Sequence, residues 1–333
     1  MYDVITLGEP LIRFEPENQY ERLERTGSLK MALGGAEINV TAALSKIGNL
    51  KTAIITKIPE NSLGRWVKYY LDSYNIGTEF VAYGGTRIGT YFSEQGARPR
   101  TASVTYDRNH SSFLESTMKD YKIDTACAKI FHTTGITLAL GENTRKTAFE
   151  MIKQFSNKAL ISFDVNYRAN LWSEEKAHET IESILPYVDI LFISEETCRK
   201  MFHRKGSLEE ILKEFASTYN IKYIASTQRI VITQSHHQFS SVIYDSLRKT
   251  FYNTVKPYDI EVVDRVGSGD AYIAGVLYGL STNAFNCKIA QEYGDAFSAL
   301  KCTIPGDILI SNKSEIEYLI QKQKKGINED IHR

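Results

Sequence analysis

Val262-Val263-Asp264-Arg265-Val266-Gly267-Ser268-Gly269-Asp270-Ala271-Tyr272 is the stretch from which the rest of the chain can be read. Apolar residues lead into a turn of small ones, and a helical run starting near Gly269 continues through Leu280. The first turn of a helix leaves backbone N–H groups without intrahelical acceptors, and glycine lets that backbone come close to a ligand. The positive end of the helix dipole adds to this, so the turn suits an anion and the charge that builds in a phosphoryl-transfer transition state. Asp270 would then stand beside the transferred group. The same helix end would also suit a capping carboxylate, so spacing alone leaves both roles open.

Outward from this turn, short apolar stretches alternate with amphipathic ones. Tyr2–Gly8 reads as a first strand, Ala36–Gly48 as a helix ending on glycine and Lys51–Ile58 as a second strand. Lys129–Thr134, Ala159–Asn166, Asp189–Ser194 and Lys222–Thr227 read as further strands, and Asn143–Phe155, Ser173–Leu185 and Ser207–Tyr219 carry helical periodicity. This rhythm predicts an α/β fold, a doubly wound and mostly parallel sheet with helices on both faces. Two segments break it, Arg13–Leu33 and Tyr83–Arg108, where Thr90-Tyr91-Phe92 and Ser103-Val104-Thr105-Tyr106 have strand character without an intervening helix. They read either as a small antiparallel flap that keeps water from a transfer reaction or as an irregular surface excursion. The polar tail, 321–333, is expected to fray.

A chain of 333 residues can bury a large core, as one α/β domain with an insertion or as two domains. Lys and Arg number 40 and Asp and Glu number 40, so no global field favours nucleic acid or an acidic membrane surface, and a small-molecule partner is expected. The longest apolar stretch, Ala271–Leu280, is interrupted and far short of the roughly 18 residues of a spanning helix. With no basic segment and apolar core after Met1, a cytoplasmic protein is expected. Cys127, Cys198, Cys287 and Cys302 form no CxxC pair and read as reduced packing thiols. The seven histidines show no metal-binding spacing and read as surface residues, with His236-His237 in a polar turn.

Asp264-Arg265-Val266-Gly267-Ser268-Gly269-Asp270 resembles the C-terminal signature of the PfkB, or ribokinase-like, family, and Gly34-Gly35-Ala36-Glu37-Ile38-Asn39-Val40 resembles its N-terminal glycine motif. The two lie about 230 residues apart in the family's order, and the resemblance runs from about Tyr2 to Ile320. It implies one ribokinase-like kinase domain over 1–320, with the segments at about 13–33 and 83–108 forming a small β-lid and 321–333 left as a polar tail. It also implies that Asp270 removes the proton from the acceptor hydroxyl while the backbone of Gly267, Ser268 and Gly269 forms the anion hole.

Within the family the chain is most similar to 2-keto-3-deoxygluconate kinases. That similarity rests on Asp164-Val165-Asn166-Tyr167-Arg168 with Leu171-Trp172-Ser173, on Tyr106-Asp107-Arg108, on Asp264-Arg265-Val266 and on Thr303-Ile304-Pro305-Gly306-Asp307. It implies a sugar-acid site made by Gly34, Gly35, Asn39, Tyr91, Tyr106, Arg108 and Arg168. The two arginines suit a carboxylate, since a fixed cation recognises a sugar acid where a neutral sugar needs none. ATP is expected beside Asn166, Ser194, Thr227, Arg229 and the Gly267 and Gly269 backbone. Magnesium is expected to ride mainly on the ATP phosphates, with Glu195, Glu196 and Asp264 as candidate ligands. The chain departs from the family in two places. Ser194-Glu195-Glu196-Thr197 lacks the first Asn and last Glu of an Asn-Glu-Glu-Glu-like segment, and Thr233-Gln234-Ser235-His236-His237 lacks the usual glycine of the nucleotide turn.

The implied reaction is transfer of the γ-phosphoryl group of MgATP to 2-keto-3-deoxygluconate, giving the 6-phosphate. The rivals are a kinase of the same fold for fructose, ribose or adenosine, and a non-catalytic sugar- or nucleotide-binding relative. A Rossmann oxidoreductase is excluded, because Gly8-Glu9-Pro10 stands where GxGxxG would follow the first strand. The expected partners are a sugar acid and ATP, with no nucleic acid and no membrane, and the chain is expected to form a homo-oligomer.

Overall fold

The computed structural model describes residues 1–325. The strands are β1 (Tyr2–Leu7), β2 (Leu11–Pro16), β3 (Leu29–Gly34), β4 (Thr52–Ile58), β5 (Val81–Tyr83), β6 (Gly89–Glu94), β7 (Ser103–Asp107), β8 (Ala128–Thr134), β9 (Leu160–Asp164), β10 (Ile190–Phe192), β11 (Tyr223–Val231), β12 (His236–Asp245), β13 (Thr250–Asn253) and β14 (Tyr258–Glu261). The helices are α1 (Ala36–Lys46), α2 (Ser62–Ser73), α3 (Gly135–Ala139), α4 (Glu142–Phe155), α5 (Glu174–Ile184), α6 (Glu195–Lys200), α7 (Leu208–Tyr219), α8 (Ser268–Thr282), α9 (Cys287–Cys302) and α10 (Lys313–Lys325).

The main sheet runs β13-β12-β11-β10-β9-β8-β1-β4-β5, with β14 also pairing β12. From β11 to β5 every pairing is parallel, as expected for strands covered on both faces. The helices separate onto the two faces by their apolar stripes. Ala148, Met151, Ile152 and Phe155 of α4 pack with α5 and α7 in one core, and α1, α8 and α9 fill the other. Strand order reverses between β1 and β8, and ligands of open α/β sheets bind beyond the C-terminal ends of strands at such a point. The chain leaves those ends at Gly8 and Glu9 after β1, at Thr134 after β8 and at Asp164 after β9.

The rhythm-breaking segments form a second sheet of order β3-β2-β6-β7, a lid beside the main one. It is mixed where a wholly antiparallel flap was expected, because β2 pairs with β6 in parallel while β2–β3 and β6–β7 are antiparallel. The chain visits the core between the two hairpins, so their central strands run the same way.

Other expectations change too. His132 is fully buried in β8, with Nδ1 against Ser162 Oγ of the neighbouring β9 at 2.9 Å, and His237 is buried in β12, so neither is a surface residue. His236 and His237 open a strand, and the turn before them is 232–235. The strand expected to run to Asn166 stops at Asp164, since Asn166 has φ 39°, and the one expected to stop at Thr227 continues to Val231 by pairing with β12. Helix α10 continues to Lys325, and the rest of the polar tail lies outside the described residues. All four cysteines are free. Among the described residues, no helix is long and apolar enough to cross a membrane.

Candidate active site

Helix α8 begins on Gly267, whose φ of 80° is the left-handed conformation glycine tolerates. A Cβ there would lie 1.9 Å from the Asp307 carbonyl oxygen, so the turn is pressed against the loop before α10. Nothing stands where a Cβ on Gly269 would project, and its backbone faces a cavity. No side chain caps the helix. Asp270, in the first turn, instead accepts a 2.7 Å hydrogen bond on Oδ2 from Asn39 Nδ2 of α1. Burial is the largest influence on its carboxyl, pushing it up to about 7, and the charges of Asp307 and Glu37 add to the rise. The Asn39 hydrogen bond and the Arg168 charge oppose it.

Beside this turn, at the C-terminal ends of β9, β10 and β11, lies a cavity of about 580 Å3. It brings together Asn166, Arg168, Ser194, Thr227 and Gly269 from four separate stretches of chain. Asp164 closes β9 at its wall, and burial together with the Asp270 charge pushes its carboxyl up to about 7. The Asn166 N–H donates to Asp164 Oδ1 at 3.2 Å, a local turn that carries the chain out of the sheet towards Arg168. Arg168 is exposed, and its guanidinium donates to the Tyr167 carbonyl at 3.0 Å. Among the described residues no carboxylate pairs with it, yet its charge holds down both Asp164 and Asp270. Ser194 caps α6, its Oγ accepting from the Thr197 N–H at 3.1 Å.

The remaining substrate candidates lie at the root of the lid, off this cavity's wall. Gly35 has φ 123°, and a Cβ on it would lie 2.3 Å from the Glu9 carbonyl oxygen. Gly34 would meet the Asp307 carboxylate at 2.6 Å in the same way. Arg108 is not the free cation expected: it is buried, its Nε donates to Glu9 Oε2 at 2.8 Å, and Ser111 donates to the other Glu9 oxygen. Tyr91 is buried with its hydroxyl donating to Asp307, so that hydroxyl is already engaged. Tyr106 is exposed, 5.5 Å from the Tyr91 ring, with the Arg108 guanidinium 5.4 Å from its own ring.

Of the metal candidates, Asp264 is buried against Arg13 at 2.7 Å and Glu195 pairs with Arg199 at 2.6 Å. Glu196 pairs with Lys200 on an exposed face and reaches the cavity wall. Among the described residues, no group of three or more His, Cys, Asp or Glu could hold a metal. Arg229 stands on the β11–β12 hairpin outside the cavity wall, and burial and then the Arg265 charge lower its pKa.

Sequence reasoning assigned no role to Glu9, Arg13, Glu37, Asp164 or Asp307, all of which shape the site. Glu37 is buried, accepting on Oε1 from the Thr134 and Thr137 hydroxyls at 2.7 and 2.8 Å. Asp307 ends the Thr303-Ile304-Pro305-Gly306-Asp307 motif, and Glu9 follows the first strand. Polar residues at those two positions were the available signal.

A model of pfkB family carbohydrate kinases matches residues 1–320. The crystal structure of a 2-dehydro-3-deoxygluconokinase from Thermotoga maritima superposes with a TM-score of 0.90 at 34% identity, covering 96% of this chain and 98% of that one. A 2-dehydro-3-deoxygalactonokinase of Haloferax volcanii is 30% identical over 98% of this chain and 99% of its own length. A 5-dehydro-2-deoxygluconokinase of Clostridium botulinum is 26% identical over 90% of this chain and 86% of its own length.

Proposed function

The chain belongs to the pfkB family of carbohydrate kinases and is a sugar kinase, and we propose that it phosphorylates 2-keto-3-deoxygluconate on its terminal hydroxyl, with ATP as donor. One observation carries this reading. The Asp270 carboxylate, held by Asn39 and paired with no cation, stands at the start of α8 beside a backbone that is open to the cavity at Gly269.

Asp270 takes the proton of the hydroxyl as it attacks the γ-phosphorus. A raised pKa suits that task, because a base near the working pH both exists ionised and accepts the proton readily. The N–H groups at Gly267, Ser268 and Gly269 receive the charge of the transferred group, so the protein works by positioning and electrostatics. Asn166, Ser194 and Thr227 face the nucleotide from the cavity wall, and Arg229 lies beyond it. A magnesium ion would neutralise phosphate charge and take most of its oxygens from phosphate and water, which fits a wall that offers Glu196 and, among the described residues, no preformed cluster.

Arg168 supports the acid. It is a cation at the cavity with no carboxylate partner among the described residues, and the three relatives are named for keto-deoxy sugar acids. Arg108 favours a second reading, a neutral sugar, because Glu9 already offsets its charge. A coupled assay of ADP release across keto-deoxy sugar acids, fructose and ribose decides between them. The acid should be turned over best, and Arg168→Leu should lower its kcat/KM about 10- to 100-fold, mainly through KM. Better turnover of fructose or ribose by the wild type, or an unchanged acid-to-neutral ratio in the variant, would put the neutral sugar in its place.

A further inference from the structure

Where the lid joins the core, a set of buried charges takes no part in the reaction described above. Arg13 leaves β2 and is 1% exposed. Its Nη1 lies 2.7 Å from Asp307 Oδ1, and its Nη2 lies 2.7 Å from both Asp264 Oδ2 and Glu15 Oε2. Tyr91, on the neighbouring lid strand β6, donates to the same Asp307 carboxylate at 2.6 Å. The two aspartates in turn hold the segments that shape the α8 turn. Asp264 accepts from the Val266 N–H at 3.0 Å and the Gly306 N–H at 3.1 Å, tying the turn to the loop after α9. Asp307 abuts Gly267 through its carbonyl and Gly34 through its carboxylate. Lys301 of α9, fully buried, donates to the carbonyls of Asp264 and Ile304 at 3.1 and 3.0 Å and so clasps the same two segments from the other side.

We propose that Arg13 is a positioning residue, which holds Asp264 and Asp307 together so that the lid root and the backbone of Gly267–Gly269 keep one fixed geometry. The inference rests on the reading that this turn receives the phosphoryl group. Two carboxylates brought to one guanidinium repel each other once it is gone, and the planar fork that reaches both has no equivalent in a point charge. Gly267 has no slack to absorb a shift of Asp307, since the two backbones are in contact. A displacement of about 1 Å at a transfer site can cost about 100-fold in rate.

The test uses Arg13→Lys, which keeps the charge and the fold but loses the fork, beside Arg13→Met. In Arg13→Lys, kcat should fall about 10- to 100-fold while KM for the sugar acid moves less than about threefold. ADP, titrated calorimetrically without sugar, should bind the variant about five- to tenfold more weakly, because the amides that meet its terminal phosphate are displaced. Wild-type kcat and ADP affinity in Arg13→Lys would overturn the proposal, even if Arg13→Met fails to fold. So would a fall confined to kcat/KM through sugar KM, which would make Arg13 a lid residue only. A wild type that turns over no sugar would defeat the functional reading instead, and the ADP titration would still decide the role of Arg13.

Discussion

The cavity under α8 and the root of the lid are built from the same residue types and treat them in opposite ways. At the lid root the two buried arginines are closed: Arg108 on Glu9, and Arg13 on Asp264, Asp307 and Glu15. Among the described residues, Arg168 at the cavity has no carboxylate in contact, and Asp164 at its wall and Asp270 beside it have no cation in contact. Burying an unpaired charge costs far more than leaving one at a wet wall, so closed pairs mark scaffold and open groups mark the place left for ligand. Residue type alone does not separate the two regions; pairing does.

The sharpest way to break this contrast is Asp270→Asn. Turnover should fall by roughly 10² to 10⁴, the usual scale for removing a general base. Thermal stability at pH 8 should not fall, because a carboxyl raised to about 7 in the folded state costs stability once ionised and an amide does not. Calorimetric scans of the variant beside steady-state kinetics check both halves, and wild-type turnover would remove Asp270 as the base.

Arg108→Leu should do the reverse. With its partner gone, Glu9 is a buried carboxylate with only Ser111 as a donor, a loss of about 3 to 5 kcal/mol in denaturant unfolding. Adding Glu9→Gln should recover part of that loss. If Arg108→Leu instead unfolds like wild type and loses only affinity for the sugar acid, the lid root belongs to the binding site and the contrast fails.

The mildest change sharpens the cavity half. As the free enzyme's base, Asp270 should make kcat/KM fall as pH drops through about 7. Asn39→Ala removes the hydrogen bond that favours the charged form, against the Asp307 and Glu37 charges that oppose it. The midpoint should therefore move up by about one unit, since a hydrogen bond to a charged group is worth about 1.5 to 3 kcal/mol. A profile from pH 5.5 to 9 reads the shift, and an unmoved midpoint would assign the limb to another group.

Much of the fold was legible because it is local. The stripe of Ala148, Met151, Ile152 and Phe155 repeats at the helical period, β1 is the near-continuous apolar run of a strand buried on both faces, and the glycine opening of α8 is a local turn. The lid was half legible: its strands showed, but the parallel pairing of β2 with β6 joins segments separated by two helices and two strands of the core. The buried histidines were misread for a related reason. Neither spacing nor composition shows that His132 is buried in β8 against Ser162 of the next strand.

By itself, the sequence determined the alternation of strands and helices, the glycine turn at Gly267–Gly269 and the placing of Asp270 in the first turn of α8, since each depends on neighbours within a few residues. Only the tertiary structure decided which charges are closed. Glu9 meets Arg108 across 99 residues and Arg13 meets Asp307 across 294, and such meetings leave no periodic trace. A buried charge must find a counter-charge, but that necessity does not say which one. Chain topology chooses the partner, and among the described residues it leaves Arg168 at the cavity and Asp270 beside it without an ion pair.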